Sequence, residues 1–310
     1  MHPATIDQKN RQSISTKKKI KHLPEYRYSS LDQIVEYAMK QGEASYEAVR
    51  PVFKSDDFAL FQDDCLRVMS KIPENHVDMI FADPPYMLSN GGFTCHAGRM
   101  VPVEKGEWDK SKGLEEDLRF HEAWIGECRR ILKPSGTIWI SGTYHSIYQC
   151  GYLLQKLNYH VLNDIAWFKP NASPNLSCRF FTASHETLLW ARKDRKAKHI
   201  FNYEAMKEGA FPEDSLKKPG LQMRSVWSLG TPKPSEKIHG KHPTQKPLDL
   251  LKRIVAASTN AGDLILDPFN GAGTTGIAAK VIGGRKYIGI EISSEYIELT
   301  RRRYEGLNLL

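Results

Sequence analysis

The chain has 310 residues, 40% of them hydrophobic, enough to bury a full core in one large domain. Its 44 Lys and Arg against 36 Asp and Glu leave a net charge of +8, a balance that favours a polyanionic partner. No apolar run approaches the roughly 20 residues of a membrane helix, and Cys65, Cys95, Cys128, Cys150 and Cys178 form no C-x-x-C pair. The polar, basic start lacks a signal-peptide core. A disulfide framework, a zinc site and a membrane span are therefore excluded, and a cytoplasmic setting is expected.

Residues 1 to 28 hold Lys17-Lys18-Lys19 and few apolar side chains, and read as a solvated arm without chemistry. Together with a helix predicted over 30–50 from the spacing of Leu31, Ile34, Val35 and Ala38, they make a unit of residues 1–50 ahead of a catalytic domain of residues 51–310. Phe58 to Phe61 predict a strand that ends in Asp63 and Asp64. At a strand's carboxyl end Asp64 can meet a ligand, and it is equally placed to cap the helix predicted from Leu66 to Lys71.

Met79-Ile80-Phe81-Ala82-Asp83-Pro84-Pro85-Tyr86 predicts a buried strand with four functional groups at its tip. Proline donates nothing to a sheet ladder and fixes its own φ, so Pro84 and Pro85 stop the strand and stiffen the corner. Asp83, freed carbonyls and the Tyr86 ring are then held in fixed relation, which suits a planar group bearing an amine. Residues 87–112, rich in Gly, Ser and charge, are expected to be a structureless loop that closes over substrate. Helices over 118–132 and 147–157 alternate with strands over 137–141 and 165–168. The alternation predicts an α/β fold, a doubly wound and mostly parallel sheet.

From 172 to 239 the alternation weakens, and Arg179, Lys193, Arg195, Lys196 and Lys198 interleave with aromatic residues. Such a composition suits phosphate and base contact, so the segment reads as an inserted target-recognition region. Neutralising Lys193, Arg195 and Lys196 is expected to weaken nucleic-acid binding. His242-Pro243-Thr244-Gln245-Lys246-Pro247 then leads into a helix over 248–258. After it a short apolar strand enters Asp267-Pro268-Phe269-Asn270-Gly271-Ala272-Gly273-Thr274-Thr275, where Gly271 and Gly273 permit a tight turn and a helix N-terminus offers free N–H groups. Glu291 ends the next strand, about 20 residues beyond the first glycine, where a ribose-binding acid belongs. A closing helix over 294–303 ends in Arg301-Arg302-Arg303, to which no catalytic role is given.

Taken in order, Phe81 to Tyr86, Trp167-Phe168-Lys169-Pro170-Asn171, His242 to Pro247 and Asp267 to Thr275 resemble the beta-group amino-methyltransferases of bacterial DNA, over about residues 56 to 306. Leu88 to Gly92, Pro174 to Arg179 and Lys198 to Tyr203 look like the adenine methyltransferases of Dpn-type restriction-modification systems, which act on GATC. The resemblance implies a Rossmann-like fold that uses S-adenosylmethionine. It puts Phe269, Gly271 and Gly273 at the methionine side, Glu291 on the ribose and Asp64 near the adenine, with Cys65, Asp83, His242, Thr244, Lys246, Asp267, Thr274 and Thr275 in the same cofactor site. Asp83, Pro84, Pro85 and Tyr86 become catalytic: Asp83 and the Pro84 carbonyl accept the amine hydrogens, and Tyr86 stacks on a flipped base.

By the same resemblance Lys169, Asn171, Arg179, Lys193, Arg195, Lys196 and Lys198 contact DNA, and no metal is called for. The partners implied are DNA, double-stranded with single strands left open, and a restriction endonuclease as genetic partner; a homodimer is left open. The competing readings are methylation of the 4-amine of cytosine and a catalytically idle DNA-binding regulator. A dinucleotide oxidoreductase would have no use for the Asp-Pro-Pro-Tyr corner.

Overall fold

The computed structural model describes residues 30–43, 49–89, 93–96, 99–102, 106, 109–209, 211, 214, 216–218 and 220–307; the basic arm of residues 1–28 lies outside them. In chain order the elements are α1 (Leu31–Glu43), β1 (Phe53–Lys54), β2 (Phe58–Gln62), α2 (Cys65–Met69), β3 (Val77–Ala82), β4 (Phe93–His96), β5 (Arg99–Pro102), α3 (Leu114–Ile131), β6 (Leu132–Gly142), α4 (Ile147–Lys156), β7 (His160–Phe168), β8 (His185–Arg192), α5 (Tyr203–Glu208), β9 (Val226–Ser228), α6 (Leu248–Ser258), β10 (Leu264–Asp267), α7 (Thr274–Ile282), β11 (Lys286–Glu291) and α8 (Ser294–Leu307). Nine strands form one sheet in the order β1-β2-β11-β10-β3-β6-β8-β7-β9. Strands β2, β11, β10, β3 and β6 run parallel, as do β7 and β9. Within this sheet β1 and β8 run against their neighbours.

The central strands are apolar on both faces because helices cover both. Ala59, Phe61, Ile80, Ala82, Ile138, Ile140, Leu266, Ile288 and Ile290 point into a core shared with α1 to α4. Their sequence neighbours Phe58, Leu60, Met79, Phe81, Trp139, Ile265 and Tyr287 point into a second core shared with α6, α7 and α8. The period of two is the side-chain alternation of a strand, and it divides one continuous apolar run between two layers. Among the described residues no helix is long and apolar enough to cross a membrane.

Three expectations need correction. Helix α1 is not apart from the catalytic domain, since Leu31, Ile34 and Val35 are part of its first core. The segment 172–239 does not stand outside the sheet, for it supplies β8, between β6 and β7, and β9 at the edge. The residues of β8 are mostly buried, so an apolar run decided their place while the basic residues around them drew the sequence reading elsewhere. Finally, residues 87–112 are not without regular structure: β4 and β5 pair antiparallel from Phe93↔Pro102 to His96↔Arg99.

The direction of β8 decides which residues face the site. Thr187 lies opposite Gly142, at the end of β6, and Arg192 opposite Thr137, midway along it, with Lys193 N–H donating to the Gly136 carbonyl further toward its start. Lys193, Arg195, Lys196 and Lys198, which follow Arg192, thus leave the sheet at the end opposite Asp83. Lys193 is tied down there, donating to the Asn75 side chain and the Leu132 carbonyl, both at 2.6 Å. Lys169 and Asn171 follow β7 at the same end of the sheet as Asp83, and the residues between them and β8, Arg179 included, form the connecting loop.

Candidate active site

In an open α/β sheet the carboxyl ends of the parallel strands are where ligands bind. Here those ends deliver Asp63 and Asp64 after β2, Glu291 on β11, Asp267 on β10, Asp83 after β3, Ser141 on β6 and Lys169 after β7, while the reversed β8 brings Glu186 to the same edge. A cavity of about 250 Å³ opens along it, lined by Asp64, Cys65, Asp83, Pro84, Pro85, Tyr86, His242, Thr244, Lys246, Asp267, Phe269, Gly271, Thr274, Thr275 and Glu291, and also by Asp109, Asn270 and Tyr296.

At one end of the cavity Asp83 is engaged through both oxygens. Its Oδ1 accepts from the Tyr86 hydroxyl at 2.6 Å and its Oδ2 from Lys246 Nζ at 2.5 Å. The Tyr86 hydroxyl lies 2.9 Å from both Ser141 Oγ and Glu186 Oε2, and Lys169 Nζ donates to Glu186 Oε1. Tyr86 is 6% exposed, with the Lys246 ammonium 5.1 Å from its ring centroid. Burial alone would raise the Glu186 carboxyl, but the Lys246 and Lys169 ammoniums pull it down to about 2. Burial also opposes the charge on Lys246, and Asp83 and Glu186 outweigh it, holding the amine above its ordinary range.

Sequence reasoning missed the groups that fasten this corner. The Asp109 carboxylate accepts from the backbone N–H groups of Tyr86, Met87 and Leu88 at 2.8, 2.9 and 3.1 Å, and from Ser89 Oγ at 3.0 Å. Three successive amides capped by one buried carboxylate fix the path of the chain just past the prolines. Met87 takes a positive φ of 58° within this turn. Glu186 carries the same signal as Asp83, a charged residue at the end of an apolar strand, but it stands near the start of β8 whereas Asp83 follows the end of β3.

The other end of the cavity is the glycine turn. Gly271, at φ 49°, donates its N–H to Glu291 Oε2 at 2.8 Å, and Ser293 N–H donates to Glu291 Oε1 at 2.9 Å. A Cβ on Gly271 would meet the His242 ring at 3.3 Å, at the floor of the cavity. Gly273, at φ 70°, makes the tight turn expected of it, and a Cβ there would sit 2.3 Å from Thr300 Cγ2, so its smallness also serves packing against α8. Asp64 is the N-cap of α2, accepting from Leu66 and Arg67 N–H at 2.9 and 3.2 Å, while it also lines the cavity. Burial pushes the Cys65 thiol up to about 12, which leaves it inert.

Asp267 accepts from Thr275 Oγ1 at 2.6 Å and from Phe269 N–H at 3.0 Å, yet burial lifts its carboxyl from 3.8 to about 7. A carboxyl whose folded pKa exceeds its unfolded one costs stability as pH rises from the lower value to the higher. Without ligand, the protein should therefore lose stability relative to Asp267→Asn between pH 4 and 7, by on the order of 1.4 kcal/mol per pH unit. Parallel urea curves of the two proteins across that range check this; a difference independent of pH would refute it.

A family model described as DNA methylase matches residues 77–302. The chain belongs to the DNA methylase family. This methylase is 47% identical over 274 residues to the type II methyltransferase M2.DpnII of Streptococcus pneumoniae, covering 87% of this chain and 99% of that protein. It is 49% identical over 255 residues to M2.LlaDCHI of Lactococcus lactis subsp. cremoris, covering 82% and 91%. Among solved structures, the M1.HpyAVI–SAM complex superposes with a TM-score of 0.58 at 28% identity, over 80% of this chain and 98% of that one. The cytosine-N4-specific PvuII methyltransferase gives 0.61 at 18% identity, over 82% and 88%, which speaks for the fold alone. The methylase fold is thus the doubly wound α/β sheet that the strand and helix alternation predicts.

Of the DNA-contact residues read from the sequence, Lys169 is turned inward onto Glu186, and Asn171 donates to Thr231 Oγ1 at 3.2 Å. Arg179 is exposed. No group of His, Cys, Asp or Glu among the described residues is arranged to hold a metal ion.

Proposed function

We propose that this chain transfers the methyl group of S-adenosylmethionine to the exocyclic 6-amine of an adenine flipped out of DNA. One observation carries the reading: Asp83 and the Gly271–Glu291 cradle line a single cavity, on strands β3 and β10 that pair directly and on β11 beside them. An amine held on Asp83 then lies against a ligand held on Glu291. The residues present fit a cationic cofactor. Burial holds the carboxyls of Asp83, Asp267 and Glu291 around the cavity above their usual range, and a bound cation would favour their ionised forms. When bound, S-adenosylmethionine supplies an electrophilic methyl on a positively charged sulfur, and M1.HpyAVI has been solved with it.

The amine of an aromatic base is a weak nucleophile, because its lone pair is delocalised into the ring. Asp83 and the Pro84 carbonyl, accepting its two hydrogens, favour a pyramidal nitrogen whose lone pair points at the methyl. The acceptors are fixed by Pro84, Pro85 and Asp109 and need no reorganisation as charge develops. Tyr86 is the ring proposed to stack on the flipped base. Asp at the head of the corner and the resemblance of Leu88 to Gly92, Pro174 to Arg179 and Lys198 to Tyr203 to Dpn-type enzymes support adenine as target and GATC as site, and the similarity to the type II methyltransferases M2.DpnII and M2.LlaDCHI supports a cytoplasmic restriction-modification setting with a partner endonuclease. Incubation with DNA and labelled S-adenosylmethionine, followed by digestion to nucleosides, should yield label in 6-methyldeoxyadenosine. Label in 4-methyldeoxycytidine would move the target to cytosine, and no labelled nucleoside would sink the reading.

DNA is proposed to lie across the catalytic edge, against the loop between β7 and β8. Asn175 staples that loop, donating to the Phe180 carbonyl at 2.8 Å and accepting from Ser177 N–H at 3.0 Å. Its outer part offers Arg179, Phe180 at 69% exposure and Phe181 at 98%. Arg179→Ala should weaken DNA binding and flatten its salt dependence by about 0.9 in log–log slope. Neutralising Lys193, Arg195 and Lys196 together should leave that slope unchanged, because they leave the sheet at its other end. If fluorescence titrations find the reverse pattern, the duplex lies elsewhere.

A further inference from the structure

Lys246 stands where the target amine has to go. Its ammonium donates to Asp83 Oδ2 at 2.5 Å and lies 5.1 Å from the centroid of the Tyr86 ring, so it engages both groups that the reading above assigns to the base: the acceptor of its amine and the ring for its face. It cannot simply leave. The Asp83 and Glu186 side chains are only 15% and 10% exposed, and with Lys246 gone Glu186 would keep Lys169 while Asp83 would keep no ion pair among the described residues. Unpaired buried charge is costly, so the ammonium needs a second seat close by. Glu186 Oε2 is that seat, already 3.7 Å from Lys246 Nζ. A shift of about 1 Å brings the pair to ordinary hydrogen-bond distance.

We propose that Lys246 holds the place of the target base in the free enzyme and passes from Asp83 to Glu186 as the base arrives. The exchange keeps two carboxylates and two ammoniums balanced throughout. It strips Asp83 of a competing cation at the step where positive charge passes from the cofactor's sulfur to the base nitrogen, so the carboxylate faces the developing charge alone. Glu186 acts in this scheme through Lys246 and the Tyr86 hydroxyl, without touching the base, and is a positioning residue. The inference rests on the methyltransferase reading of the site and adds a moving part to it.

An amide at position 186 cannot counter the ammonium, so in Glu186→Gln Lys246 stays on Asp83 and obstructs the base. The single-turnover rate of methyl transfer should fall about 100-fold, roughly 2.7 kcal/mol of barrier, while the KM for DNA, set largely by phosphate contacts, changes by less than about threefold. Adding Lys246→Met removes the obstruction, and Glu186→Gln/Lys246→Met should recover at least about tenfold of the lost rate. A double variant as slow as Glu186→Gln, or slower, overturns the proposal. Wild-type enzyme run alongside separates the two readings, since a wild type that transfers no methyl to DNA would indict the function itself. Should Glu186→Gln fold poorly, the wild-type complex with duplex DNA and S-adenosylhomocysteine answers directly. Its crystal structure should show Lys246 Nζ bonded to Glu186 and parted from Asp83; an ammonium still on Asp83 beside a flipped adenine is the contrary result.

Discussion

Asp83→Ala should lower the rate of methyl transfer by about 1,000-fold or more, while affinity for S-adenosylmethionine stays within about threefold. The size follows from removing a preorganised acceptor for developing charge, a loss of typically about 100- to 1,000-fold for one such group, here compounded by loss of the geometry that bares the nitrogen lone pair. The selectivity follows from the layout, since Gly271 and Glu291, the residues proposed to hold the cofactor, are hydrogen-bonded to each other at the ends of β10 and β11 and not to Asp83. The fold should survive. With the carboxylate gone, Lys246 still has Glu186 at 3.7 Å, and the Tyr86 hydroxyl keeps Ser141 and Glu186 at 2.9 Å, so no charge is orphaned. Single-turnover assays beside calorimetric titration measure both quantities. Turnover within about tenfold of wild type would remove Asp83 from the reaction.

Gly273→Ala should destabilise the protein by about 3 kcal/mol and weaken cofactor binding as a consequence. Gly273 takes φ 70° as the N-cap of α7, a conformation that costs a residue with a Cβ about 1 kcal/mol or more. The new methyl would also sit 2.3 Å from Thr300 Cγ2, and overpacking of that kind costs about 1–3 kcal/mol. Thr300 cannot turn away freely, because its hydroxyl donates to the Gly271 carbonyl at 3.2 Å and accepts from Asn270 Nδ2 at 2.9 Å. The strain therefore passes back into the turn that carries Gly271. Thr300→Ala in the same chain should cost less than the sum of the two single changes, as expected for residues in contact. Urea denaturation measures the losses, and a cost under about 1 kcal/mol for Gly273→Ala would show the turn to be slack.

What could be read from the sequence was what local pattern determines. The predicted helix over 248–258 is α6, Leu248–Ser258, and Asp83 and Glu291 stand at the carboxyl ends of β3 and β11, because an apolar run that ends in a polar group needs no partner to be recognised. What could not be read was direction and adjacency. The residues of β8 already spell a strand, but nothing local says that it slots backwards between β6 and β7. That reversal carries Lys193 and its basic neighbours away from the site and brings Glu186 to Tyr86, a hundred positions earlier in the chain. Asp109 was hidden for the same reason, lying 23 residues from the amide it caps. The turn at Gly273 was legible, at φ 70°, but only the packing of α8 shows which atom the glycine makes room for.

The pairing of β3 with β10 has a consequence in time. The two strands are neighbours in the sheet, and Leu264 N–H donates to the Asp78 side chain across a separation of 186 residues. Contacts so far apart along the chain form late, because the loop between them must close first. As the protein emerges from the ribosome, β3 spends most of synthesis without the strand that will flank it, and the Asp-Pro-Pro-Tyr corner is finished long before the cradle beside it exists. A chain that stops short of Leu264 carries the carboxylate proposed to hold the amine and lacks the turn proposed to hold the methyl donor.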